Sequence, residues 1–227
     1  PDYCIDEVAD HTLAFILATT RQVISNCMRI REGKWGLATS LDEMRALRDL
    51  TVGVVGFGRI GREVTSRLRA FKCRVLVHDP IVAARAIELA GYHPVALRDL
   101  FTQSDVITLH CPSTPQTRGM INRDSLAITK RGVILINVAR GDLVDSAALT
   151  EALQSGQVSA AALDVFAPEP IPADHPILSM DNVIVASHIA SCSVLAVRKL
   201  RETAANIAAM AVRGEPLPNV VNGVGKS

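Results

Sequence analysis

From Thr51 onward, short apolar runs alternate with stretches of helical pattern, and this alternation constrains the fold more than any other feature of the chain. The strands it predicts are Thr51–Val55, Arg74–His78, Val106–His110, Val133–Asn137, Ala160–Leu163 and Val183–Ala186. Most are continuously apolar, as expected of strands buried on both faces. Between them, Ile60–Phe71, Ala83–Ala90 and Asp145–Gln154 read as helices. Strand–helix alternation of this kind specifies an α/β fold, a doubly wound parallel sheet of Rossmann type with helices on both faces and right-handed crossovers. Two long helices flank it, one over about Asp6–Arg31 and one over about Ser193–Val212, the latter stopped by Gly214 and Pro216. The expected organisation is a long helix over 1–35, a nucleotide-binding domain over 36–190 and a helix and tail over 191–227.

The first predicted strand runs into Gly56-Phe57-Gly58-Arg59-Ile60-Gly61, a G-x-G-x-x-G that opens a helix. Gly56 permits a tight turn, Gly58 lets the backbone approach a pyrophosphate, and Gly61 lets helix and strand pack closely. The N–H groups and dipole of the helix's first turn then hold the anion. Asp79 ends the second strand about twenty positions further on, where an acid accepts from a ribose hydroxyl. Its charge repels a 2′-phosphate and favours NAD over NADP. No Lys follows in a G-K-[ST] arrangement, which disfavours an ATP-binding loop. Asp79-Pro80 also has a plain reading as a turn.

Ligands of an open parallel sheet bind beyond the C-terminal strand ends. Asn137 to Arg140, Asp164, Glu169 and His188 fall there. Taken singly, Arg140 reads as a surface charge and His188 as a strand-end histidine satisfied by a neighbour. Taken together, they suit the reduction of a carbonyl by NADH. His188 supplies an acid that titrates near neutral pH. Glu169 binds its other ring nitrogen and fixes the tautomer. Arg140 offers a permanent positive fork to the carboxylate of a 2-oxo acid. Asp164 accepts from the nicotinamide amide. His11, His175 and the adjacent His110-Cys111 receive no role, and no metal site is read.

Composition narrows the classes. Of 227 residues, 48% are apolar and 21% charged, so disorder is excluded. The net charge of +1 gives no electrostatic reason to expect nucleic acid or anionic lipid. No apolar run nears the roughly 20 residues that span a bilayer. Five scattered cysteines with no CxxC pair argue against a disulfide framework and for a reducing cytoplasm. The chain opens on Pro1 rather than Met.

These residues resemble the D-isomer-specific 2-hydroxyacid dehydrogenase family, in a branch similar to the C-terminal-binding proteins. The matching stretches are Glu7–Thr12, Val52–Gly61, Val77–Pro80, Leu109–Pro115, Ile136–Gly141, Ala162–Phe166 with Glu169-Pro170, and Ser187–Ala190. The resemblance implies Arg140, Glu169 and His188 as the catalytic set. It implies NAD contacts from Thr12, the loop Gly56, Phe57, Gly58, Arg59, Ile60 and Gly61, and Asp79. It further implies contacts from Cys111, Pro112, Thr117, Asn137, Val138, Ala139, Asp164 and Ala190. It also implies a homodimer built through the nucleotide domain and the first helix. There are two departures. Ser187 stands before the histidine where the family usually has Pro, and the segment that forms most of the family's substrate domain is not in this sequence. The chain is therefore expected to be the nucleotide-binding part of a longer protein, able to bind NAD and turning over poorly alone. Two other functions compete with the dehydrogenase: an NAD(H)-sensing, corepressor-like interaction protein, and a methyltransferase, which leaves Arg140, Glu169 and His188 without roles.

Overall fold

The computed structural model describes residues 3–218 and 220. Seven parallel strands form one sheet: β1 (Thr51–Val55), β2 (Arg74–His78), β3 (His93–Pro94), β4 (Val106–Leu109), β5 (Val133–Asn137), β6 (Val158–Leu163) and β7 (Val183–Val185). Their order is β3-β2-β1-β4-β5-β6-β7. The chain winds outward in one direction from β1 and in the other from β4. The crevice for a ligand therefore lies at the carboxyl ends of β1 and β4.

Alternate side chains feed two cores, one on each face. Val52, Val54, Val75, Val77 and Ile136 point to one face, against Ile16, Val64, Leu68 and Ile87. Val55, Ile107, Leu109 and Leu135 point to the other, against Leu100, Leu126, Leu149 and Leu153. The helices of the first face are α1 (Ile5–Thr20), α3 (Arg59–Ala70) and α4 (Ala84–Leu89). Those of the second are α5 (Leu97–Gln103), α6 (Arg123–Ala127) and α7 (Ser146–Gln154). Each fully buried Leu or Ile contributes about 1.5–3 kcal/mol to this packing.

The first helix is not continuous as its pattern suggests. It breaks at Arg21-Gln22, where Gln22 is left-handed with φ 52°, and α2 (Val23–Arg31) follows. Thr19 and Thr20 turn their hydroxyls onto the Phe15 and Ile16 carbonyls, a back-bonding that weakens a helix end. Beyond the break no residue of α2 is buried, so no core contact holds the helix on its first axis. Three short elements also escape the periodicity. Strand β3 is two residues at the sheet edge, where its proline costs no ladder bond. Helix α5 has no capping side chain, and α6 is five residues long. The capping box of α6, Asn122 with Ser125, is the one sequence signal that marks it. The last helix, α8 (Val194–Val212), lies where the pattern puts it, with only Ala196 buried.

Candidate active site

The glycine turn is fixed by sterics. Gly56 sits at φ +99°, and a Cβ there would lie 2.7–2.9 Å from the His110 carbonyl and the Cys111 nitrogen. A Cβ on Gly61 would collide with the Gly56 carbonyl oxygen, whereas one on Gly58 would meet open space. Gly58 is also the N-cap of α3, and no side chain caps that helix. An uncapped helix end with clear space in front of it fits a bound pyrophosphate.

Two residues weld this turn to β2. The Phe57 ring is buried, edge-on to Tyr92 at 5.9 Å, with the Arg62 guanidinium 4.3 Å above it. The Phe57 N–H donates to Asp79 Oδ2 at 2.7 Å. Asp79 Oδ1 accepts from the Ile81 and Val82 N–H groups. Burial works to raise the Asp79 carboxyl, but these three donors outweigh it and hold the group below its ordinary range. Three of about four acceptor positions are thus used, and Oδ2 keeps one. Behind the turn, burial pushes the His110 imidazole down to about 3, and Thr108 Oγ1 lies 2.9 Å from its Nε2. His110 has no role in the sequence reading; its backbone is the floor on which Gly56 rests.

Across the crevice, the loops after β4 and β5 are tied together. Thr117 Oγ1 donates to the Pro112 carbonyl and accepts from the Thr114 N–H, closing the loop that starts at Cys111. Ser113 Oγ donates to Asp142 Oδ2 at 2.6 Å, and Arg118 bridges to the same oxygen. The half-buried Cys111 thiol is pushed up by burial. Asn137 is buried, with Nδ2 donating to the Arg140 carbonyl and Oδ1 accepting from the Ala139 N–H. This folds Val138-Ala139 into a turn that leaves Arg140 at the surface.

The last two loops bring His188 and Glu169 into contact. His188 Nδ1 is 2.8 Å from Glu169 Oε2, and Glu169 Oε1 accepts from the Phe166 N–H at 2.8 Å. Burial pulls the Glu169 carboxyl upward, but His188, the Phe166 N–H and the charge of Arg140 together hold it below its ordinary value. His188 itself is left-handed, φ 57°, an uncommon state for a residue with a Cβ. Asp164 holds it there. Its carbonyl accepts the His188 N–H, and its fully buried carboxylate accepts from Ile189 and Ala190 at 2.8 Å each. An open cleft of about 610 Å³ adjoins the pair, lined by Phe166, Ile171, Leu178 and Val185 among others.

Thr12 is buried in the packed side of α1, its hydroxyl given to the Val8 carbonyl. His11 packs edge-on to Phe15 at 4.3 Å, and its buried Nε2 has no hydrogen-bond partner among the described residues. Among those residues no three His, Cys, Asp or Glu could hold a metal ion. No helix there is long and apolar enough to cross a membrane.

The family model for the D-isomer specific 2-hydroxyacid dehydrogenase NAD-binding domain matches residues 13–190. The chain belongs to this family. Among curated relatives, D-3-phosphoglycerate dehydrogenase of Mycobacterium bovis is 41% identical over 98% of this chain, and the chain spans 42% of that protein. Glyoxylate reductase of Korarchaeum cryptofilum is 38% identical over 98% of this chain and 68% of its own length. Among solved structures, NAD-dependent formate dehydrogenase of Staphylococcus aureus in complex with NAD superposes with a TM-score of 0.91. It is 31% identical, over 97% of this chain and 66% of that one. As a member of the 2-hydroxyacid dehydrogenase family, this chain carries its NAD-binding domain, and the glycine turn is the part that fits the cofactor.

Proposed function

We propose that the chain is the cofactor-binding and acid–base part of an NAD-dependent oxidoreductase that interconverts a D-2-hydroxyacid and its 2-oxoacid. The observation that carries this is the His188–Glu169 contact at 2.8 Å, under the charge of Arg140 and, like the glycine turn, beyond the carboxyl end of the sheet. NAD, when bound, supplies the hydride acceptor and, reduced, the donor. Glu169 holds Nδ1 and so fixes the ring's orientation, which directs Nε2 at the substrate oxygen. In reduction, Nε2 gives its proton to that oxygen; in oxidation, it takes the proton back. Arg140 binds the substrate carboxylate and polarises the carbonyl beside it. Gly58, Arg59 and Ile60 face the pyrophosphate, and Asp79 Oδ2 takes a ribose hydroxyl. Val138, Ala139, Asp164 and Ala190 border the nicotinamide, and Thr12, Cys111, Pro112 and Thr117 its far wall.

The same reading assigns a homodimer, supported by exposed apolar side chains on and after α2: Val23, Ile24, Met28, Ile30 and Trp35. Of the segment 191–227, whose residues 219 and 221–227 lie outside the described ones, it turns α8 toward a substrate domain, supported by Val194 and Leu195, which are 78% and 70% exposed. It places the protein in a reducing cytoplasm, supported by five cysteines that are all free.

The test follows NADH absorbance in the full-length protein with a panel of small 2-oxo acids. Wild type consumes NADH with at least one acid. His188→Ala loses roughly 10²–10⁴-fold in kcat while its NADH affinity holds. Unchanged turnover in that variant would end the acid–base assignment.

A further inference from the structure

The loop that carries Glu169 has an anchor that the acid–base chemistry leaves unused. The loop runs from Phe166 to His175 and meets the sheet end at two points. At the first, Gly141 lies so close that a Cβ there would collide with the Phe166 backbone. At the second, His175 Nε2 is 2.7 Å from Ser146 Oγ, on the first residue of α7.

The ring's other nitrogen decides what this second contact is. His175 Nδ1 accepts the Ile177 N–H at 3.2 Å. It therefore carries no proton, so Nε2 does, and Nε2 donates to Ser146. A serine that accepts from imidazole is not being deprotonated by it, which rules out an activated nucleophile. The space behind the loop is about 30 Å³ and is lined by Asn137, Ala167, Pro168 and Ile171 among others. It is of water size and too small for a substrate. Asn137, which shapes the Arg140 turn, thus lines the same small space as the residues leading into Glu169.

We infer that Ser146 and His175 are positioning residues: their hydrogen bond fixes the Glu169 loop to α7 and so sets the distance from Glu169 to His188. This rests on the acid–base reading above. Neither residue touches the reacting atoms. Without the tether the loop keeps its close approach at Gly141 and the buried side chain of Ile177 beyond it but loses its polar tie to α7, and the Glu169 carboxylate backs away from Nδ1. The groups that act on His188 are then a more distant Glu169 and Arg140.

The test uses the full-length protein with Ser146→Ala, Ser146→Thr, His175→Asn and His188→Ala. Asn at 175 can still accept the Ile177 N–H as an Asx turn but does not reach Ser146. We expect Ser146→Ala and His175→Asn to lower kcat about tenfold, with KM changed less and NADH affinity unchanged. Ser146→Thr, which keeps the hydroxyl, restores kcat. If Ser146→Ala and His175→Asn lower Tm but leave kcat in place while His188→Ala abolishes turnover, the pair is structural and the inference is overturned. If His188→Ala also turns over normally, the acid–base reading falls first, and the positioning role falls with it.

Discussion

The two halves of the crevice are held by different kinds of force. The cofactor half is local: one turn between β1 and α3, locked by backbone against backbone at Gly56 and Gly61 and stitched to β2 through Asp79. The acid–base half is assembled from the loops after β5, β6 and β7, and its working groups are exposed, the His188 side chain by 47%. There, buried polar side chains do the holding: Asn137 for Arg140 and Asp164 for His188. Close packing tolerates no added atom but is insensitive to charge. A polar scaffold is the reverse, since a change of one atom from acceptor to donor undoes it.

The largest effect that would break this contrast is within the glycine turn. Gly61→Ala forces a methyl group onto the Gly56 carbonyl, which cannot swing aside, and should cost up to about 3 kcal/mol of stability. Gly58→Ala adds the same methyl into open space at φ −73°, a conformation alanine accepts. Thermal unfolding should leave it within about 0.5 kcal/mol of wild type, while fluorescence titration shows NADH binding weakened about tenfold, near 1.4 kcal/mol. A Gly58→Ala protein that binds NADH as tightly as wild type would remove the pyrophosphate from this turn.

Asp164→Asn tests the other half and should be milder in stability, about 1–2 kcal/mol. Asn keeps one acceptor for Ile189 or Ala190 and turns an NH₂ toward the other N–H, leaving a buried donor without a partner. The left-handed backbone of His188 then loses part of what holds it. The signature is a modest fall in Tm with a larger fall in kcat of the full-length protein, and intact NADH affinity. Equal losses of NADH binding and turnover would mean that Asp164 serves the cofactor more than the histidine loop.

The same difference explains what was legible in the sequence. Strand β1, the glycines and Asp79 lie close together in the chain, and their spacing alone gives the turn, because steric rules act between neighbours. Strands β1, β2 and β5 fall at the residues their apolar runs mark. Glu169 could be paired with His188 by chemistry, but the aim of its carboxylate depends on the Phe166 N–H and on loop anchors at Gly141 and Ser146, which no local pattern encodes. Asp164 was legible as a polar group at a strand end. Its two bonds to the residues after His188 arise only when β6 and β7 lie side by side. The break at Gln22 was hidden for the opposite reason: the helical pattern continues through it, and what ends α1 is the loss of core to pack on.

The smallest effect is electrostatic and concerns Glu169 alone. Its carboxyl is held below the ordinary value of 4.5 in the folded protein. A carboxyl lowered by folding adds stability that is complete above its unfolded pKa and is lost as pH falls through the folded one. Glu169→Gln removes that contribution, so the Tm gap between wild type and variant should be constant down to about pH 5 and close below pH 4.5. The side chain is 36% exposed, so water and salt screen the charged part of the gap. Raising ionic strength should shrink the share owed to His188 and Arg140 and spare the share owed to the Phe166 N–H, which is a short hydrogen bond. A gap that widens as pH falls toward 4 would instead mean that folding raises this carboxyl. A glutamate that folding drives toward the neutral acid would not be the ionised partner that the acid–base reading assigns to His188 Nδ1, and that reading would lose its positioning carboxylate.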